Sequence, residues 1–270
     1  MNYLLLFILF SVNLFAQKLS ASVSERFIHS LIYDSNDIKS FLLPEELAAS
    51  DQLGISYSGV SSKFLISNDI EPEIKKGIIN GTLHYELKIE LLKENYSRLS
   101  FAVPGTNYQK QYYFTDSMLI SVPAYFSAGW KIIRSRYFEF HISDPASINE
   151  YSMQNLDSYV DKISGILELS SNDKTVLSEN KIKYFLCRNE AEIKNLTGFN
   201  TMGMYYLPYD YLITTFNSHY HELLHLLINF KLKTQPLYTL PFFQEGFAVA
   251  YGGRGGKEPD IFSGMAGLFE

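Results

Sequence analysis

The chain has almost no cysteine. Cys187 stands alone in 270 residues, so no intrachain disulfide can form and stability must come from a core or a metal. Its setting, "KIKYFLC", is apolar and strand-like, which marks a small buried residue and not a nucleophile. Basic charge is also scarce. Lys and Arg total 23 against 29 Asp and Glu, a net charge of −6, and no basic run exceeds two residues. That balance argues against a nucleic-acid partner, because phosphate binding needs a basic face. Long apolar runs are missing too. Tyr3 to Phe15 is too short to cross a bilayer comfortably. Ala16-Gln17 after it looks like a cleavage point, so residues 1–16 read as a secretory signal peptide. An uncleaved anchor is the alternative, since no Lys or Arg precedes Lys18 and Leu14 is bulky three positions before the cut. The expectation is an exported protein, periplasmic, cell-envelope or extracellular, with no stable membrane span after cleavage.

What is present is apolar and aromatic. Apolar residues make up 46% and charged ones 19%, which implies a packed core and argues against disorder. Glu25 to Tyr33 is expected to be a short helix. From Gly81, "TLHYELKIELL", "RLSFAV", "QKQYYF" and "SMLISV" alternate with a period near two, with turn signals between them at Glu94-Asn95, Pro104-Gly105 and Thr115-Asp116. Residues 17–134 therefore read as an antiparallel-sheet α+β module. His84 and His141 stand alone in strand-like runs and read as solvated or core histidines.

A boundary falls near Trp130 to Ser135. Strand-like "RYFEFHIS" precedes a helical segment with apolar Leu156, Tyr159, Val160, Ile163, Ile166 and Leu167. "KIKYFLC" is a second strand, and "NEAEIKNLTG" a short helix stopped by Gly198. "GMYYLPYDYLITT" is a strand pair or one strand broken at Pro208. The alternation predicts a mixed sheet with a long helix packed on it, over residues 135–270.

That helix is "NSHYHELLHLLINF", Asn217 to Phe230, holding three of the six histidines. Asn217 or Ser218 is a natural N-cap. The helix is apolar over most of its girth, so it is expected to be buried. Buried His221, Glu222 and His225 then need partners. His221 and His225, four apart, project from one face and suit one Zn2+. Glu222, one step round, suits a general base that takes a proton from metal-bound water. His219 lies about 200° from His221 and is excluded as a ligand. A catalytic zinc needs a third ligand, and "LPFFQEGFAVAYGG" offers Glu245 on a second helix starting near Pro241. Gly246 and Ala248 are small enough to let the two helices approach.

"HELLH" followed after 19 residues by Glu245 in "QEGFA" resembles the gluzincin metallopeptidases, especially the aminopeptidase N-like branch, where a Glu-Gly-Phe-Ala segment carries the third ligand. Thermolysin-like members have an Asp four positions after that Glu. Here Val249 stands there, so that branch fits less well. The resemblance covers roughly Arg136 to Tyr251 and implies a zincin-like domain, a mixed sheet with an active-site helix and a second ligand-bearing helix. It implies His221, His225 and Glu245 as Zn2+ ligands, Glu222 as catalytic base, and a peptide or protein substrate. It also implies that Gly203, Met204 and Tyr205 lie on an edge strand that grips the substrate. Gluzincins commonly stabilise the oxyanion with a Tyr or His well downstream. Only Tyr251 follows Glu245 here, which implies a catalytic domain incomplete at its C-terminal end. The alternative is a catalytically weak or inactive zinc-stabilised homologue acting as a cell-envelope binding protein.

Overall fold

The computed structural model describes residues 19–44, 70–93, 95–232 and 241–253. The signal peptide, the Glu94 side of one expected turn, and the tail beyond Gly253 lie outside the described residues. The structure is mixed α+β, with one antiparallel sheet and one mixed sheet. Among the described residues, no helix is long and apolar enough to cross a membrane.

Helix α1 (Ala21–Ile32) starts where the Ser20 hydroxyl accepts the Val23 N–H, four residues before the expected start. Helix α2 (Pro72–Ile79) opens on a proline, which has no N–H to leave unpaired. Strands β1 (Glu86–Leu91), β2 (Tyr96–Ala102), β3 (Gln109–Thr115) and β4 (Met118–Ile120) form the antiparallel sheet in sequence order, as the alternation predicts. Period two puts Leu99 and Phe101 of β2 on one face, where α1 delivers Phe27, Ile28 and Leu31. Phe27 sits at the centre, with Phe41, Tyr112 and Phe114 edge-on at 5.0–5.3 Å.

A five-residue helix, α3 (Val122–Phe126), ends this unit, and Trp130 follows in the connection. The second sheet begins at Lys131. Its strands are β5 (Lys131–Arg134), β6 (Phe138–Ile142), β7 (Ile182–Leu186), β8 (Gly203–Tyr206) and β9 (Tyr211–Thr214). Their order is β5-β6-β7-β9-β8, with β6, β7 and β9 parallel and both edge strands antiparallel. Helices α4 (Glu150–Ile166), α5 (Ser171–Glu179) and α6 (Glu190–Thr197) fill the crossovers, and α7 (Tyr220–Lys231) and α8 (Pro241–Gly252) complete the unit.

The parity of each strand divides the sheet into two faces. Phe138, Phe140, Ile142, Tyr184, Leu186 and Leu212 meet α4, α7 and α8 in the larger core. Phe185, Tyr211 and Ile213 point the other way, onto Ile193 and Leu196 of α6, and Trp130 packs against that second cluster. Cys187 lies there too, 2% exposed, as its apolar setting predicts. Four of the six apolar positions expected to bury α4 do so: Leu156, Tyr159, Val160 and Ile163. Ile166, at its last turn, is exposed. Gly198 ends α6 in the left-handed region, φ 81°, and Pro208 lies in the 3-10 turn that makes β8 and β9 a hairpin.

Candidate metal centre

Helix α7 runs through the larger core. Leu223, Leu224, Leu226, Leu227, Ile228 and Phe230 are buried around it, and His221, Glu222 and His225 take the remaining face. The helix does not begin where the sequence suggests. Neither Asn217 nor Ser218 is the N-cap; His219 is, with no side-chain cap. The hydroxyl of Tyr184 fixes this start, accepting the His219 N–H at 3.1 Å and donating to the Phe216 carbonyl at 2.6 Å. The His219 ring turns inward instead, its Nδ1 3.0 Å from Thr214 Oγ1. Burial, then the neighbouring His221 and His225, pushes its pKa down to about 4, so the ring is neutral. It fills the space beneath Gly203, where a Cβ would come within 2.4 Å of the ring. His219 therefore supports the edge strand and is not among the converging groups, and its non-helical N-cap backbone, not an angle around the helix, sets where its ring points.

His221 and His225 do converge. Their Nε2 atoms stand 3.2 Å apart. Helix α8, starting at Pro241 as expected, lays Glu245 across them. Its Oε2 is 3.4 Å from His221 Nε2 and its Oε1 3.3 Å from His225 Nε2. Two donors bound to one zinc at about 2.0–2.1 Å with tetrahedral angles stand about 3.4 Å apart. The three separations fit that requirement, and among the described residues no other group of three His, Cys, Asp or Glu side chains converges in this way. The Glu245 side chain is 61% exposed, so the cluster meets solvent on its α8 side. Burial lowers the pKa of His225, with Glu245 opposing and His221 reinforcing, which favours the neutral ring that a metal needs.

Glu222 points past the cluster to β8. Its Oε2 accepts the Tyr205 N–H at 2.7 Å, and burial raises its pKa against the pull of that bond and of His221. Among Gly203, Met204 and Tyr205, the last thus already gives its outward N–H to Glu222, and its hydroxyl donates to Asp210. All three lie on the edge strand beside α7.

Three contributions escape the sequence reading. The Gly253 carbonyl lies 3.0 Å from His221 Nδ1, the Tyr205 backbone holds Glu222, and Gly252 packs so tightly on α7 that a Cβ there would come within 2.6 Å of His221 Cα. Gly246 and Ala248 are the small residues expected to permit the approach of the helices, yet a Cβ at Gly246 would meet nothing within 4 Å. Ala248 is fully buried in the shared core. The "YGG" at the helix end was the available signal. Tyr251, the only tyrosine after Glu245, packs on Phe247 at 4.6 Å, and its backbone carbonyl accepts the Tyr159 hydroxyl.

Compared with known proteins, the chain matches no family model, and neither a curated protein nor a solved structure is significantly similar to it.

Proposed function

We propose that the protein is an exported zinc-dependent metallopeptidase of the gluzincin type, its zincin-like domain beginning with β5 at Lys131, four residues before the expected boundary at 135, behind an accessory module. The observation that carries this reading is the convergence of three donors from two helices, at 3.2–3.4 Å from one another. His221, His225 and Glu245 would hold the ion. Bound there, Zn2+ would supply Lewis acidity, lowering the pKa of water and polarising a peptide carbonyl.

The chain's own groups would do the rest. Glu222 would accept the proton of the attacking water at Oε1, since Oε2 is engaged by Tyr205. Its raised pKa suits a base that must afterwards release that proton to the leaving amine. Gly203, Met204 and Tyr205, on the β8 edge beside α7, would line the path of the substrate, with the Tyr205 N–H holding Glu222 and the Gly203 N–H bonded to Thr201 Oγ1.

The test is metal analysis with activity. Freshly purified protein should hold one equivalent of zinc, lost in His221→Ala. Glu222→Gln should keep the zinc and lose peptide hydrolysis. Wild type purified without zinc would sink the reading.

One observation favours a second reading, a zinc-stabilised binding protein. A cleft of about 460 Å³ lies between β3 and α3 on one side and α6 and β8 on the other, lined by Tyr113, Phe126, Tyr206, Gln111 and Lys194. It is open to solvent and lined by both polar and aromatic groups, as a surface that meets a partner would be. Peptide hydrolysis that is sensitive to both a chelator and Glu222→Gln would exclude this alternative.

A further inference from the structure

The end of α8 meets His221 of the candidate metal centre at two points and the helix α4 at a third. Gly252 lies against the first turn of α7, where a Cβ would come within 2.6 Å of His221 Cα, 2.8 Å of His221 N and 2.9 Å of Tyr220 O. These are backbone atoms, which cannot rotate aside. Gly253, with φ 73°, turns its carbonyl to His221 Nδ1 at 3.0 Å. The Tyr251 carbonyl accepts the hydroxyl of Tyr159 at 3.0 Å, and the Tyr159 ring rests on Tyr220, centroids 4.5 Å apart. Tyr159 belongs to α4, so three helices meet in this turn.

Gly252 follows Glu245 by seven positions, two turns of helix, so both lie on one face of α8. Any shift that relieves a contact at Gly252 must also move Glu245. The carbonyl of Gly253 acts on the other partner. Accepting from Nδ1–H, it leaves a lone pair on His221 Nε2, the atom that faces His225 and Glu245.

We infer that the Tyr251–Gly253 turn positions the metal centre. It fixes the His221 tautomer and the seating of Glu245, and Tyr159 anchors it from α4. This rests on the zinc reading above, but its first consequence is visible without metal.

The experiment has two arms on the full chain. In metal-free protein, long-range 15N–1H NMR of the histidine rings should show His221 protonated at Nδ1 in wild type and mixed between nitrogens in Gly252→Ala. Zinc competition against a chromophoric chelator should show affinity falling by about 10- to 100-fold in Gly252→Ala, the usual range for lost outer-shell support. In Tyr159→Phe, which keeps the ring packing, it should fall by about 3- to 10-fold, one hydrogen bond's worth. That milder variant decides the matter if Gly252→Ala does not fold. Wild-type zinc affinity in Tyr159→Phe together with an unchanged His221 tautomer in Gly252→Ala would overturn the inference. So would His221 protonated at Nε2 in metal-free wild type. A wild type with no zinc affinity would overturn the zinc reading instead, while the tautomer spectra still decide the role of the turn.

Discussion

Gly203 shows how a single position can be fixed by what lies beneath it. A methyl group there would meet the His219 ring at 2.4 Å and Thr214 Oγ1 at 2.7 Å. Gly203→Ala should therefore destabilise the fold by about 1–3 kcal/mol through overpacking, read as a lower urea midpoint at unchanged m-value. A wild-type midpoint would show that the strand yields freely. Glu139 gives a prediction in pH. His141 first, then Arg134, holds its carboxyl down to about 2 from the ordinary 4.5, against the cost of burial. A depressed folded pKa stabilises fully above the unfolded value, and that contribution is lost as pH falls through the folded one. The stability gap between wild type and Glu139→Gln should hold above about pH 4.5 and close between there and pH 2, in denaturant titrations across that range. His221 and His225 of the candidate cluster were legible because helical spacing is local: their positions fix a common face. The N-cap was not. Asn217 and Ser218 have the right chemistry, but Tyr184, 35 positions from His219, decides where the helix begins.

Helices announce themselves in the sequence through an apolar stripe or a start or stop signal: α4 and α7 were legible by their apolar residues, α6 by Gly198 at its end and α8 by Pro241 at its start. Helix α5 was not, since it buries only Leu177 and is held at its start by the reciprocal Ser170–Asp173 capping box. The start of α7 is the element-scale feature most open to test. Tyr184→Phe would strip the acceptor from the buried His219 N–H and the donor from the Phe216 carbonyl. The expected cost is about 1–3 kcal/mol in denaturant unfolding, the penalty of an unsatisfied buried group. A loss below a few tenths would mean that another group takes the bond. The crossing of α7 and α8 was legible in outline only. Small residues were expected at it, but choosing among Gly246, Ala248 and Gly252 needs the crossing point, which sequence spacing does not contain.

At the scale of the whole molecule, two sheets keep two separate main cores. The composition shift near Trp130 pointed to the division, and the pairing of β5 with β6 puts Lys131 on the far side of it. Strand alternation carried the antiparallel sheet almost completely. The order β5-β6-β7-β9-β8 was hidden, because it depends on which strands pair across crossovers. The putting of all three candidate ligands on α7 and α8 has a thermal consequence. A ligand at 1,000 times its Kd adds about 4 kcal/mol to the state that binds it. Chelator should lower the melting of the larger core and leave that of the α1-sheet core in place, read by scanning calorimetry with and without added zinc. A uniform shift of all transitions would show that the two cores melt as one.

The chain's only tryptophan sits where these units join. Trp130 packs against the cluster of Phe185, Tyr211 and Ile213 and is followed directly by β5. Its emission is therefore a built-in optical gauge of the seam. A red shift on warming that precedes the loss of helical circular dichroism would report the seam loosening before either sheet melts.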